Sequence, residues 1–107
     1  MNRPEQQLEI RPVSGTTEAD YCARLMTNSE PWITLRRSYE EGLQHVTDPG
    51  KEVYIVLIGK ELTGFMILQM QGAFTGYIQT IFVAPEWRGK GLGSQMIAFA
   101  ERRIFKD

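Results

Sequence analysis

The run Val83-Ala84-Pro85-Glu86-Trp87-Arg88-Gly89-Lys90-Gly91-Leu92-Gly93 sets three alternate glycines and two cations between an apolar segment and an amphipathic one. Those residues, at that spacing, suit the gripping of phosphate. A helix N-terminus leaves its first amides without intrahelical partners. The aligned peptide dipoles add partial positive charge there, and a phosphate can accept from the free amides directly. Glycines at 89, 91 and 93 keep side chains out of the approach and permit unusual backbone angles. Arg88 and Lys90 add mobile positive charge. Glycine weakens a helix, so some other gain is expected to offset it. The competing reading is a glycine-rich turn that only packs a helix on a sheet. Alternate glycines flanked by bases suit that purpose poorly.

Two nucleotide-binding devices are excluded. A Walker A loop requires Ser or Thr after its lysine, and Lys90 is followed by Gly91. A dinucleotide fingerprint requires Gly-x-Gly-x-x-Gly after an early parallel strand. The spacing here is Gly-x-Gly-x-Gly, with no acidic strand residue downstream.

The elements that must position this junction are legible in the hydrophobic pattern. Residues 8–13 alternate as a short edge strand that Pro12 ends. Thr16 or Thr17 is a candidate cap for a helix from Glu18 to Asn28, with Cys22, Leu25 and Met26 on its apolar side. Pro31 interrupts the chain after it. A second helix is expected over Arg36–Val46, and Asp48-Pro49-Gly50 turns the chain. Glu52–Ile58, Leu62–Met70 and Tyr77–Val83 read as strands joined by short turns at Gly59-Lys60-Glu61 and Gln71-Gly72-Ala73, hence an antiparallel meander. Gly64 is a candidate bulge. A final helix is expected over Gly89–Lys106, with Leu92, Met96, Phe99, Ala100 and Arg103 on one face.

At 107 residues the chain is one domain. Twelve basic residues against thirteen acidic ones give a net charge of -1, which favours neither nucleic acid nor an anionic membrane. One cysteine, Cys22, excludes an intrachain disulfide framework and suits a reducing compartment. Residues 1–7 carry no apolar leader segment, and no apolar run reaches membrane-spanning length, so a cytoplasmic protein is expected. No cluster has metal-ligand spacing.

Residues Ile81 to Gly93 resemble the acetyl-coenzyme A signature of the GCN5-related N-acetyltransferase (GNAT) superfamily, Arg/Gln-x-x-Gly-x-Gly/Ala after a Val-x-Pro strand end. Arg88, Gly91 and Gly93 occupy its fixed positions. The order strand, two helices, three antiparallel strands, helix is similar to the first portion of that α/β (α+β) fold. Ser29-Glu30-Pro31-Trp32 resembles the substrate-side loop of many members.

The resemblance implies that Arg88, Gly89, Lys90, Gly91, Leu92, Gly93 and Ser94 hold the coenzyme A pyrophosphate through backbone amides. It implies that Ile81, Phe82 and Val83 pair with the pantetheine arm. A strand-end amide would stabilise the thioester oxygen while an acceptor amine attacks directly. Members often use a strand glutamate as base, but residues 77–81 carry no carboxylate. Gln79, able to place a water or the acceptor, and Glu30, able to reach the substrate side, are therefore the catalytic candidates. Trp32, which either lines an acceptor pocket or covers the core, and Tyr77, better suited to the sheet than to proton donation, are the substrate-binding candidates. His45, the one histidine, reads as a surface-helix residue. Cys22 reads as a small buried residue.

Members of the superfamily continue past the coenzyme helix with a fifth strand, a tyrosine-bearing helix and a closing hairpin. A chain ending at Asp107 is thus expected to lack those elements. The expected edge beside Tyr77–Val83 invites a homodimer through the sheet. The leading expectation is N-acetyl transfer from acetyl-CoA to a primary amine of a protein or small molecule. The alternatives are a non-catalytic acyl-CoA-binding or dimerising fragment, or a purely structural one.

Overall fold

Val53-Tyr54-Ile55-Val56-Leu57 and Phe65-Met66-Ile67-Leu68 are continuous apolar runs, the pattern of strands covered on both faces. The computed structural model, which describes residues 7–71 and 76–105, places them at the centre of a four-stranded sheet. The elements are β1 (Leu8–Pro12), α1 (Gly15–Thr27), α2 (Tyr39–Thr47), β2 (Lys51–Ile58), β3 (Glu61–Gln69), β4 (Tyr77–Val83) and α3 (Leu92–Ile104), with a 3-10 turn at Pro85–Trp87 before α3. The strands lie in chain order and every pair is antiparallel. This is the expected α+β architecture. The expected turn at Gln71-Gly72-Ala73, the helix end at Lys106 and the reading of the first residues fall wholly or partly outside the described residues.

The period of two along each strand divides the core into two layers. Val53, Ile55, Leu57, Phe65 and Ile67 face α1 and α2, where they pack with Ala19, Cys22, Met26 and Val46. Tyr54, Val56, Met66 and Leu68 face the opposite way and pack with Leu92, Met96 and Ala100 of α3. Full burial of a side chain such as Phe65 or Ile55 contributes roughly 1.5–3 kcal/mol. Cys22 is fully buried, and burial pushes its thiol up to about 12, so it packs as an inert small residue.

Both early helices start elsewhere than expected, for identifiable reasons. α1 begins at Gly15, ahead of Glu18. The Glu18 carboxylate accepts from the Ser14 amide at 2.7 Å and from both terminal nitrogens of Arg11, at 3.1 and 2.7 Å, which fixes the first turn without a threonine cap. α2 begins at Tyr39 instead of Arg36, because Arg36 has φ 56° and cannot continue a right-handed helix. Ser38 and Glu41 form a capping box there: Ser38 Oγ accepts from the Glu41 amide at 3.1 Å, and Glu41 Oε1 accepts from the Ser38 amide at 3.0 Å.

The bulge in β3 is at Thr63, one residue before the expected Gly64. Val56 pairs with Gly64 and Leu57 with Leu62, which leaves Thr63 as the extra residue. Thr63 is fully buried and satisfied: its hydroxyl donates to Val56 O at 3.2 Å and its carbonyl accepts from the Ala84 amide at 2.8 Å. Gly64 has a different task. A Cβ built on it would lie 2.5 Å from Phe82 O and 3.4 Å from Val83 Cα, so β3 and β4 approach too closely there for any side chain. At the far end of α3, Arg103 pairs with Glu52, its Nε donating at 2.8 Å, and Tyr54 OH donates to the same carboxylate at 2.7 Å. Burial pushes the Glu52 carboxyl up, but these donors outweigh it and hold it below its ordinary range.

Gly64→Ala is predicted to cost about 1–3 kcal/mol, the usual penalty for overpacking a closed site. Urea denaturation followed by far-ultraviolet circular dichroism measures it. An unchanged midpoint would show that the β3–β4 approach can relax.

Candidate functional site

Two irregularities in β4 and the turn after it create the site. Ile67 pairs with Thr80 and Leu68 with Ile78, so Gln79 is the extra residue of a second bulge and stands outside the ladder. β4 is an outer strand of the sheet among the described residues, with β1 at the opposite edge. The chain then passes through Pro85–Trp87 and enters α3 with Gly89 at φ 78° and Gly91 at φ 81°, the left-handed region that glycine occupies without strain.

The start of α3 differs from the starts of the other helices. α1 and α2 carry acids in their first turns, Glu18 in one and Glu40 and Glu41 in the other. α3 carries none, and no side chain caps it. A Cβ built on Gly89, Gly91 or Gly93 would meet no atom within 4 Å, so all three face open space. Gly93 is the informative one: it lies inside the helix at ordinary φ, and neither backbone geometry nor packing requires a glycine there. Leu92, between them, is buried against the sheet and anchors the turn, so only its backbone faces outward. Arg88 is held at the end of β4, its Nε donating to Val83 O at 2.9 Å and its guanidinium lying 5.5 Å from the centre of the Phe82 ring.

From Arg88 a groove runs between β4 and the loop that joins α1 to α2. A cavity of about 610 Å³ is lined by Arg88, Pro85, Val83, Phe82 and Ile81 on one side and by Asn28, Ser29, Glu30 and Ile33 on the other. A second cavity, of about 300 Å³, shares Ser29, Glu30, Ile81 and Phe82 with it and continues to Trp32 and Gln79. The expected residues Ile81, Phe82, Val83, Arg88, Glu30, Trp32 and Gln79 thus line one continuous depression. Gly89 to Ser94 form the opening turn at its Arg88 end. Tyr77 is not brought to it: it pairs with Gln69 at the start of β4, is 56% exposed, and lies outside both linings.

Glu30 accepts from the Thr34 amide at 3.0 Å, and hydrogen bonds from Thr34 hold its carboxyl below the ordinary range. It is therefore a fixed negative charge and a weak base near neutrality. Trp32 meets His45 edge-on with centroids 5.7 Å apart and takes the Arg37 guanidinium 5.3 Å from its ring centre.

His45 departs from the surface-helix expectation. It is half-buried, and its Nδ1 faces Lys51 Nζ at 2.8 Å and Gln79 Nε2 at 3.2 Å. Burial, then the cations Lys51 and Arg37, hold the imidazole below its ordinary value, against a weaker opposite pull from Asp48 and Glu41. The His45–Lys51–Gln79 cluster escaped sequence reading because Gln79 comes from β4, far along the chain, and Lys51, though near in sequence, lies beyond the turn that leads from α2 into β2. One signal was available: a period of two back from Ile55 and Val53 puts Lys51 on the face that α1 and α2 cover.

The chain belongs to the GNAT acetyltransferase family: residues 19–107 match the Acetyltransferase (GNAT) family. No curated protein matches the chain at the sequence level. Solved structures share its fold. A possible acetyltransferase from Clostridium difficile 630 superposes with a TM-score of 0.77 at 14% identity, covering 94% of this chain and 72% of that one. An aminoglycoside 6'-N-acetyltransferase complexed with coenzyme A gives 0.74 at 17%, covering 90% and 54%. A GNAT family acetyltransferase from Elizabethkingia anophelis with acetyl-CoA bound gives 0.68 at 24%, covering 90% and 56%. The chain thus spans little more than half the length of the last two. Among the described residues no helix is long and apolar enough to cross a membrane.

A His45 value depressed in the folded state means that the unfolded chain binds the proton more readily. The associated stability is present above about pH 6.5 and is lost as pH falls through the depressed value. Urea titrations between pH 7.5 and 5, above the carboxylate range, are predicted to show this fall, and His45→Asn to remove it. A pH-independent midpoint in the parent protein would contradict the burial of His45.

Proposed function

We propose that this chain is an acetyl-CoA-dependent N-acetyltransferase that transfers an acetyl group to a primary amine of a small molecule or protein. The observation that carries the reading is Gly93: a helix glycine with ordinary φ and open space where its Cβ would be has no role in the fold. Bare backbone at that point serves a ligand that must come close. The uncapped start of α3, flanked by Arg88 and Lys90, supplies amides and positive charge for a pyrophosphate. Ligand-bound relatives of the same fold, one with coenzyme A and one with acetyl-CoA, support the identity of that ligand.

On this reading Arg88, Gly89, Lys90, Gly91, Leu92, Gly93 and Ser94 hold the pyrophosphate, all but the two cations through backbone. Ile81, Phe82 and Val83, at the exposed side of an outer strand, pair with the pantetheine arm in the manner of an added strand. Acetyl-CoA would supply an activated acyl group as a thioester. The protein supplies position: Trp32 and Gln79 border the cavity where the acceptor lies, and Glu30 draws an ammonium into it. Glu30 acts there as a charge, since its depressed pKa makes it a poor proton acceptor. The bound ammonium gives its proton to water in the open groove. The free amine then attacks the thioester carbon, and coenzyme A leaves as its thiolate and is protonated by solvent. Tyr77 has no part in this arrangement. The cytoplasm, where acetyl-CoA and free thiols coexist, is the compartment we infer. A second reading, a non-catalytic acyl-CoA-binding or dimerising unit, is favoured by the exposed Tyr77 and Ile81 on the outer strand, which a second copy can cover.

Isothermal calorimetry is predicted to show saturable acetyl-CoA binding, its loss in Gly91→Trp, and a weakening of at least about tenfold in Gly93→Ala. The Gly93→Ala fold gains up to about 1 kcal/mol, since alanine favours the helix. No saturation at millimolar acetyl-CoA would contradict the reading.

A further inference from the structure

The smaller cavity is bordered by a side chain that a hidden cluster holds in one orientation. Gln79 occupies the β4 bulge and lines the cavity shared with Glu30 and Trp32. Behind it, Nε2 sits 3.2 Å from His45 Nδ1, and the same Nδ1 lies 2.8 Å from Lys51 Nζ. The Lys51 side chain is only 10% exposed, and its ammonium also lies 3.9 Å from the Asp48 carboxylate.

Donor and acceptor chemistry fixes this cluster. A lysine ammonium has donors only. Nδ1 must therefore present its lone pair, which makes His45 a neutral imidazole with its proton on Nε2. Nδ1 has one lone pair, so Lys51 at 2.8 Å is its main donor and the Gln79 amide at 3.2 Å shares it. An amide oxygen in that place would face the lone pair and be repelled, so the amide turns its NH2 toward it. The carbonyl oxygen of Gln79 is then directed away from His45. Without Lys51 and His45, either end of the amide can face the cavity.

We propose that His45 and Lys51 are positioning residues that lock the Gln79 amide with its carbonyl oxygen presented to the acceptor cavity. This rests on the acetyltransferase reading for its purpose, and on the geometry of the cluster for its existence. The cavity then offers two hydrogen-bond acceptors, Gln79 Oε1 and the Glu30 carboxylate, which select an acceptor rich in N–H donors. Protonation of His45 reverses the arrangement. An Nδ1–H repels the Lys51 ammonium and the Gln79 NH2, and the amide rotates to accept from the imidazolium. The groups that act on His45 are Lys51 on β2, Arg37 in the loop before α2, Glu41 on α2, Asp48 after it, and the Gln79 dipole on β4. The depressed value of His45 keeps the locked form in place near neutral pH.

The single histidine makes the test direct. Nitrogen-15 NMR of the ring at pH 7.5 is expected to show the Nε2–H tautomer. Its titration midpoint is expected below 6.5, and Lys51→Met to raise it. The Gln79 side-chain amide peak, identified by its loss in Gln79→Ala, is expected to move with the same midpoint. With acetyl-CoA as donor and spermidine as the amine probe, the acceptor KM of the parent protein is expected to rise about tenfold below that midpoint relative to His45→Asn, the worth of one hydrogen bond. His45→Asn keeps an acceptor at the Nδ1 position but does not titrate, so its KM is expected to show no step at that midpoint. A Gln79 amide that ignores the titration of His45 overturns the proposal, whatever the kinetics. Coupled titration without thiol release from acetyl-CoA upholds the lock and counts instead against the acetyl-transfer reading.

Discussion

The structure depends on one arrangement: the opening turn of α3 is anchored by packing while its backbone stays bare. At α1 the Glu18 carboxylate takes the Ser14 amide, and at α2 the Ser38–Glu41 box takes two amides. α3 has no such acceptor and gives up helix propensity at Gly93 as well. It is anchored by packing instead. Leu92, Met96 and Ala100 are buried on the sheet, and Arg103 ties the far end to Glu52. On the other side of the turn, the Ala84 amide is fastened to Thr63 O, Arg88 to Val83 O, and Gly64 lets β4 lie against β3 without a side chain between them. The bulge at Thr63 and the glycine beside it are thus fold features that serve the placement of the turn.

From that turn the chemistry follows the outer strand. The groove carries a cation at Arg88, apolar strand residues along its middle, and polar groups at Glu30 and Gln79. That sequence matches a molecule with a charged end, a neutral arm and a reacting end. The bulge at Gln79 stands where the groove passes from its apolar to its polar part, which is where a strand side chain has to be re-aimed. Covering both faces of the sheet leaves its two edges, β1 and β4, open among the described residues, and β4 is the edge that runs into the glycine turn, so core and site are arranged by the same topology.

Much of this was legible in the sequence because it is local. The alternate glycines at 89, 91 and 93, the apolar strands and the order of elements are short-range patterns, and Ile81 to Ser94 fall where that pattern puts them. Helix starts were less legible. Glu18 fixes α1 by reaching back to Ser14 and across to Arg11, and only the second contact is non-local. The α2 start is set by the Ser38–Glu41 box together with the left-handed Arg36 ahead of it, and the hydrophobic pattern carries no mark of that backbone turn. Register was not legible: the bulges at Thr63 and Gln79 depend on partners in another strand. Nor was the His45 environment, since its polar neighbours come from β2 and β4. Tyr77 lies at the start of β4, at the other end of the strand from Val83 and the turn, a placement that register alone decides.

The central claim is that the bare turn and the groove form one track for one ligand. Backbone amide chemical-shift mapping during titration with acetyl-CoA tests it most directly. The account predicts saturable shifts at Gly89 to Ser94 that continue along Val83, Phe82 and Ile81 to Gln79, all with one dissociation constant. Shifts confined to the surface cations, or an absence of saturable shifts in the glycine turn, would contradict it.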